Sequence, residues 1–361
     1  MKPRFGNVPK NGYASNAGCG KGCAKGVPTI LDVAMLAGTS KSTVSRYLNG
    51  GSISSAKATK IEQAIRHSGY SPNVNARRLV QSRSNMLGIV FDDISNYVYG
   101  DMMAGIQAAA RRLGYGCMFY SRATDGKREG DFLSLMSSCT VDGLIFIGLG
   151  RRDKGDVRQL ERSGCPIVLV GDGCGTKTLA AVDVDNTLGT EQETDYLIRQ
   201  GHRRIAYLQG PDEMPAAAAR LKGYLNALQA AGIPADPALI RQVSWKVRDD
   251  NRCVRQLMAE QSFTALIGSN AFSTYGALLA LLDGGRRVPE DVALAGFDEH
   301  PLCENVRPGI TTLKQPFFEI GEAAVERLVQ NVGADKPAGG TILMQPELLI
   351  RGTTEQKGER S

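Results

Sequence analysis

Thr29-Ile-Leu-Asp32-Val33-Ala34-Met-Leu-Ala37-Gly38-Thr-Ser40-Lys41-Ser42-Thr43-Val44-Ser45-Arg46-Tyr-Leu48-Asn49-Gly50 is the stretch on which the fold turns. Ile30, Val33, Ala34 and Ala37 recur at the i, i+3, i+4, i+7 spacing of one helix face, and Gly38 supplies the stop. Ser40 stands where a second helix over about residues 41–48 needs its N-cap, with Val44 and Leu48 on the inner face. Lys41, Ser42, Ser45 and Arg46 are left outside. A third helix, about residues 55–67, packs through Ile61, Ala64 and Ile65. Two short helices across a tight glycine turn, with a third in support, make a helix-turn-helix. The outer face of its second helix offers hydrogen-bond donors and a cation to base edges and phosphates.

Charge sharpens that reading. Residues 1–85 hold 13 Lys/Arg against 2 Asp/Glu, a net +11, and the remainder is −5, within a 361-residue chain of net charge +6. A basic head on a mildly acidic body points to a polyanionic partner for the head. Residues 1–27 read as a disordered basic tail: they lack the apolar core of a secretion signal. No apolar run reaches the roughly 18 to 20 residues that span a bilayer, so no membrane partner is expected. Cys19 and Cys23 in the tail have no second Cys/His pair to complete a zinc site, and the three histidines, His67, His202 and His300, are far apart. No metal and no cofactor are expected, and the remaining cysteines read as reduced thiols of a cytoplasmic protein.

After the head, Tyr70-Ser-Pro72-Asn73-Val-Asn-Ala76-Arg77-Arg78-Leu79 puts a helix-starting proline before a cationic run. Then short apolar runs alternate with helical stretches. Leu87–Phe91, Gly116–Tyr120, Gly143–Ile147 and Pro166–Val170 form one set, and Ile205–Leu208, Thr264–Gly268 and Val292–Ala295 a second. This is the pattern of parallel βαβ units in two doubly wound lobes, whose ligands sit at the carboxyl ends of the strands. There is no G-x-S-x-G elbow, Walker loop or H-E-x-x-H, so the body reads as a binding unit and not an enzyme.

Asp32-Val-Ala, Ala37-Gly38, Ser42-Thr-Val-Ser-Arg46, Leu48-Asn-Gly50 and Gly69-Tyr-Ser-Pro-Asn73 with Ala76, Arg77 and Leu79 together resemble the head and hinge of the lactose-repressor (LacI/GalR) family. The resemblance runs from about Thr29 to the C-terminus. It implies an all-α helix-turn-helix head on a two-lobed, periplasmic-binding-protein-like α/β body with three crossovers between lobes. The expected division is a tail at 1–27, the DNA-binding head at 28–71, a hinge at 72–85, the effector-binding and dimerisation body at 86–351, and a polar C-terminal tail at 352–361. By the same resemblance Thr29, Lys41, Ser42, Thr43, Ser45, Arg46 and Asn49 of the head contact DNA, joined by Asn73, Ala76, Arg77 and Leu79 of the hinge. Leu79 would wedge into a central minor-groove step.

In the body, Arg220 matches the family arginine that hydrogen-bonds the effector, and Asp298 in Gly296-Phe-Asp298 the family's effector aspartate. Asn270 matches the first member of an Asn-Asp pair, whose second member here is Ala271. Trp245, the one tryptophan in the chain, falls where relatives place a ring that stacks on the ligand; a plain packing role is its alternative. Tyr99, Asp172 and Asp185 are further candidates facing the cleft. The expected partners are a palindromic double-stranded DNA operator, a second copy of the chain and a small effector. An Arg, Asn, Asp and Trp set leans to a sugar, though a purine also stacks on an aromatic. The resemblance implies a cytoplasmic, nucleoid-associated repressor of a carbohydrate operon. A corepressed purine- or metabolite-responsive regulator and a sugar-binding transport protein are the alternatives.

Overall fold

The computed structural model describes residues 28–48, 50–70, 83–91, 99–122, 129–148, 154–171 and 178–355. The chain divides into two compact units, Met1–Gln81 and Ser82–Ser361.

The first unit holds α1 (Ile30–Leu36), α2 (Lys41–Leu48) and α3 (Ser55–Ser68). Asp32 reaches back to the start of α1, where it accepts from the Thr29 backbone N–H at 2.7 Å and from its hydroxyl at 2.8 Å. The backbone N–H bond from Thr29 is the main reason the Asp32 carboxyl lies below its ordinary range. Gly38 turns the chain at φ +60, a conformation that costs a side-chain-bearing residue and costs glycine nothing. Ser40 Oγ then accepts the Thr43 N–H at 3.2 Å and caps α2. Val33, Val44 and Ile61, one from each helix, are fully buried and close the small core.

The second unit contains two six-stranded sheets. The first comprises β1 (Met86–Phe91), β2 (Gly116–Ser121), β3 (Gly143–Ile147), β4 (Ile167–Val170), β5 (Ala180–Val184) and β11 (Gly340–Met344). Its order is β2-β1-β3-β4-β5-β11, parallel throughout. The second comprises β6 (Ile205–Gln209), β7 (Ile240–Gln242), β8 (Ala265–Gly268), β9 (Ala293–Phe297), β10 (Thr311–Lys314) and β12 (Glu347–Leu349). It repeats the order as β7-β6-β8-β9-β10-β12, with only β12 antiparallel. In each sheet the strand order reverses at the first strand, so a ligand crevice is expected at the carboxyl ends of β1 and β3 and of β6 and β8.

Among the described residues the intervening α-helices of more than one turn are α4 (Tyr99–Arg112), α5 (Lys154–Arg162), α6 (Asn186–Arg199), α7 (Pro215–Ala230), α8 (Val247–Glu260), α9 (Ala271–Asp283), α10 (Pro301–Asn305) and α11 (Phe317–Asn331). The chain passes between sheets three times: from β5 into α6, from β10 into α11, and from β11 into β12. Among the described residues no helix is long and apolar enough to cross a membrane.

The C-terminal tail expected over 352–361 does not hold at its start, where residues 353 and 354 belong to the fold. Thr353 and Thr354 are buried in the second sheet's flank, where Thr353 Oγ1 accepts from Thr311 N at 2.8 Å and the Thr354 and Thr311 hydroxyls meet at 2.6 Å. Thr353 O also accepts from Leu294 N at 2.9 Å. Hydrogen bonding, and not hydrophobicity, fixes this segment, which is why composition misplaces the boundary.

On one face of the first sheet α4 and α11 approach until backbone meets backbone. A Cβ at Gly105 would overlap the carbonyl of Phe318, and one at Gly321 the carbonyl of Met102. A rigid helix main chain cannot yield as a side chain would. Gly105→Ala should therefore cost about 1–3 kcal/mol in denaturant unfolding; an unchanged midpoint would contradict this packing.

Candidate effector site and DNA-reading face

The effector candidates gather around one buried cation. Arg220, on α7, is 4% exposed. Its Nε donates to Asn186 Oδ1 at 2.8 Å and its Nη1 to the backbone oxygen of Ser269 at 2.5 Å. Its Nη2 lies 3.6 Å from Asp298 Oδ1, and the guanidinium sits 3.6 Å above the Phe297 ring. A charge taken this far out of water is tolerable only when paired and hydrogen-bonded, and these four neighbours supply both conditions.

Each neighbour is placed by the end of a strand or a crossover. Asn186 opens α6 directly after the first crossover, Ser269 follows β8, and Phe297 ends β9. Asp298 takes φ +75, a strained conformation for a residue with a side chain. Its N–H donates to Leu313 O at 3.0 Å, and its carboxylate accepts a short bond from Gln315 Nε2 in the second crossover. The cleft beside Arg220 is lined from the first lobe by Tyr99, Ile147, Val170 and Asp183, and by Gln315 and Phe317 from the crossover and α11.

Trp245 sits at φ +59 in the turn between β7 and α8. Its Nε1 donates to Ser269 Oγ at 2.9 Å, and its ring lies 5.9 Å from the Arg220 guanidinium. Gly210 leaves room for the indole, since a Cβ there would overlap it. The turn is tied down by buried Asp250, whose Oδ1 accepts from Ser244 N at 2.9 Å. Burial is the main cause that raises the Asp250 carboxyl above its ordinary range, and the bond from Ser244 opposes it.

Three candidates have other occupations. Tyr99 is fully buried with its ring 5.0 Å from that of Phe91, so it walls the cleft from within the first lobe's core. Asp185 caps α6 by accepting from Leu188 N at 2.9 Å. Asn270 caps α9, accepting from Ser273 N at 2.8 Å, and its Oδ1 is committed to the helix end. Asp172 lies outside the described residues. Asn186, Asp183 and Gln315 were missed by sequence reading. Their position at the flanks of a crossover or within one is the signal that would have found them: Asp183 lies near the end of β5 before the first, Asn186 follows it, and Gln315 lies in the second.

In the head, Lys41, Ser42 and Arg46 are exposed on α2. The Ser42 and Thr43 hydroxyls each lie 2.8 Å from Ser40 Oγ at the helix start, and Ser45 is half-buried. Thr29 is exposed at the start of α1. Asn49 and the hinge residues Asn73, Ala76, Arg77 and Leu79 lie outside the described residues. No cluster of His, Cys, Asp and Glu that could hold a metal ion occurs among the described residues.

Comparison with known proteins follows the same two-part division. Residues 29–73 match the bacterial regulatory proteins of the lacI family, and residues 194–354 the periplasmic binding protein-like domain. The transcriptional repressor CytR of Escherichia coli is 31% identical over 90% of this chain and 96% of its own length. The chain belongs to the LacI family. The regulator CelR of Thermobifida fusca is likewise 31% identical, over 90% of this chain and 97% of its own. Among solved structures, the lac repressor dimer bound to operator and the anti-inducer ONPF shares 27% identity over 91% of this chain and 99% of that chain, with a TM-score of 0.78. A CelR–cellobiose complex shares 30% identity over 90% and 99%, with a TM-score of 0.67. The protein is thus a LacI-family DNA-binding transcriptional regulator, with relatives that are regulators and not enzymes.

Removing the Asp250 carboxyl should free the Trp245 turn. Asp250→Ala is expected to red-shift the single-tryptophan emission and to lower stability by about 1–3 kcal/mol, the loss of hydrogen bonds to a carboxylate together with the space it leaves in the packing. Unchanged emission would show that the turn is held by other contacts.

Proposed function

We propose that this LacI-family regulator is a repressor of a carbohydrate catabolic operon, acting as a dimer on a palindromic operator and released or retained by a sugar in the cleft. The observation that carries the reading is the buried Arg220–Asp298 pair, flanked by Phe297 and Trp245, at the carboxyl ends of β8 and β9. A guanidinium, a carboxylate and an amide at one point suit vicinal hydroxyls, and the aromatic faces suit the apolar face of a pyranose. Cellobiose, the sugar in the CelR complex, is of that chemistry.

In the mechanism we infer, Lys41, Ser42 and Arg46 read the major groove, with Thr29, Thr43, Ser45 and Asn49 around them. Asn73, Ala76, Arg77 and Leu79 form a hinge helix on DNA, and Leu79 enters the minor groove at a cost of a few kcal/mol of unstacking. An effector that bridges Arg220 and Asp298 to the first-lobe wall at Tyr99 and Asp183 favours one lobe angle over another. That difference in lobe geometry, carried to the dimer interface, is the coupling free energy between the two ligands. The regulator works in the cytoplasm, on the nucleoid.

The test is a mobility shift on promoter fragments with a panel of neutral sugars and nucleosides. Arg46→Ala should weaken specific operator binding by about 1–3 kcal/mol, roughly 5- to 150-fold. Arg220→Met should keep operator binding and lose the effector response. Loss of both in Arg220→Met would reassign the arginine to folding, and no specific shift on any fragment would overturn the repressor reading.

A further inference from the structure

Behind Arg220 lies a second acid that the effector reading does not use. Glu193, on the inner face of α6, is fully buried, and neither of its carboxyl oxygens has a hydrogen-bond partner among the described residues. The hydroxyl of Tyr207 on β6 is in the same condition. The other buried polar side chains on this face of α6 are satisfied. Asn186 accepts from Arg220, while Thr190 and Thr194 donate to the carbonyls one turn back, at 3.2 and 2.7 Å.

The surroundings are crowded and mostly rigid. α6 and α7 touch closely enough that a Cβ at Gly223 would overlap the carbonyl of Thr187. α7 carries Arg220 and, four residues on, Tyr224, which stacks on Tyr207 at 4.8 Å and donates to Ile205 O at 2.9 Å. The groups that act on the Glu193 charge are Arg220 from α7 and Asp298 after β9, and Glu193 in turn acts on Tyr207 from β6. β10 and β12, also against α6, carry Lys314 and Glu347 at exposed positions. Burial holds the Glu193 carboxyl well above the ordinary carboxylate range; the positive charge of Arg220 opposes that and Asp298 adds to it. With Glu193 neutral, Arg220 pairs with Asp298, and Asp183 of β5 lines the same cleft. With Glu193 ionised, its carboxylate competes with that of Asp298 for the guanidinium.

We propose that Glu193 is a positioning residue for the effector cleft: while it carries its proton it leaves Arg220 turned to Asp298 and Ser269, and on losing the proton it draws the guanidinium back from them. Effector affinity then falls as pH rises. This rests on Arg220 being an effector ligand, but its primary test needs no ligand. Trp245 is the single tryptophan, and it donates to Ser269, the residue whose carbonyl accepts from Arg220. Its emission therefore reports the guanidinium's position.

The experiment is a fluorescence pH titration of the ligand-free full chain from about pH 5 to about pH 9, where an ordinary Glu of pKa about 4.3 is already ionised. Wild type should show a transition that Glu193→Gln abolishes. Glu193→Met, apolar and of similar length, should abolish it too and serves if the glutamine variant folds poorly. The linked stability has a fixed sign. A carboxyl with a raised folded-state pKa stabilises below its unfolded pKa, and that contribution is lost as pH rises through the folded value. The melting temperature of Glu193→Gln should therefore gain on wild type with increasing pH. A transition that survives in both variants, or a wild-type emission flat across the interval, overturns the proposal. Wild type and Glu193→Gln are then titrated with cellobiose at both ends of the pH range. A pH-dependent affinity in wild type alone extends the proposal to the effector, and equal pH dependence in both overturns it. A titrating Trp245 with no sugar bound at any pH leaves the Glu193 assignment standing and removes the sugar reading instead.

Discussion

A guanidinium buried where two lobes meet has to be held on every side, and the Arg220 site is arranged around that requirement. Its partners are drawn from the first crossover (Asn186), the end of β8 (Ser269) and the end of β9 (Phe297 and Asp298). Asp298 is in turn held by Gln315 of the second crossover. Two of the three interlobe connections therefore contribute side chains to one polar cluster. A ligand that takes over any of these bonds acts on the segments about which the lobes would turn. Under the proposed function, that arrangement gives an effector in this cleft a physical route to lobe geometry without a long chain of intermediates.

The strand ends on which the cluster stands are themselves tightly packed. Thr274, fully buried on α9, lies where a Cβ at Gly268 or Gly296 would be, and its hydroxyl donates to Asn270 O at 2.7 Å. Asn270 caps the same helix. The residue that family resemblance marks as an effector contact thus secures the platform from which the Ser269 carbonyl meets Arg220. The strained backbone at Asp298 and Trp245, both at positive φ, lies at this same place. Strain of that kind persists only where surrounding contacts over-determine the conformation.

Much of this was legible in the sequence, and the exceptions share a cause. The head declared itself through helical spacing, the Gly38 stop and the Ser40 cap, because its core uses apolar residues at regular intervals. β1 to β4, β6, β8 and β9 were visible as apolar runs. β5, β7, β10, β11 and β12 were not: β7 and β12 are only three residues long, Ile342 and Leu343 of β11 stay exposed, and polar residues interrupt β5 at Asp183 and β10 at Thr311 and Thr312. Thr353 and Thr354 look like tail residues and are buried by hydroxyl bonds. In the candidate site, Arg220, Asp298 and Trp245 were singled out through the family resemblance, whereas Asn186, Gln315 and Glu193 were not singled out at all. Nothing in local composition distinguishes a glutamate on an outer helix face from one buried behind an arginine. Only the packing of α6 against α7 decides it.

The central claim is that head and body are thermodynamically linked through the cleft. Its most direct test is reciprocity: operator affinity measured with and without saturating effector, and effector affinity measured with and without saturating operator, on the same full-length protein. Linkage predicts that both ratios differ from unity by the same factor, in the usual range of roughly 5- to 150-fold. Operator and effector that bind independently, with both ratios equal to one, would contradict it.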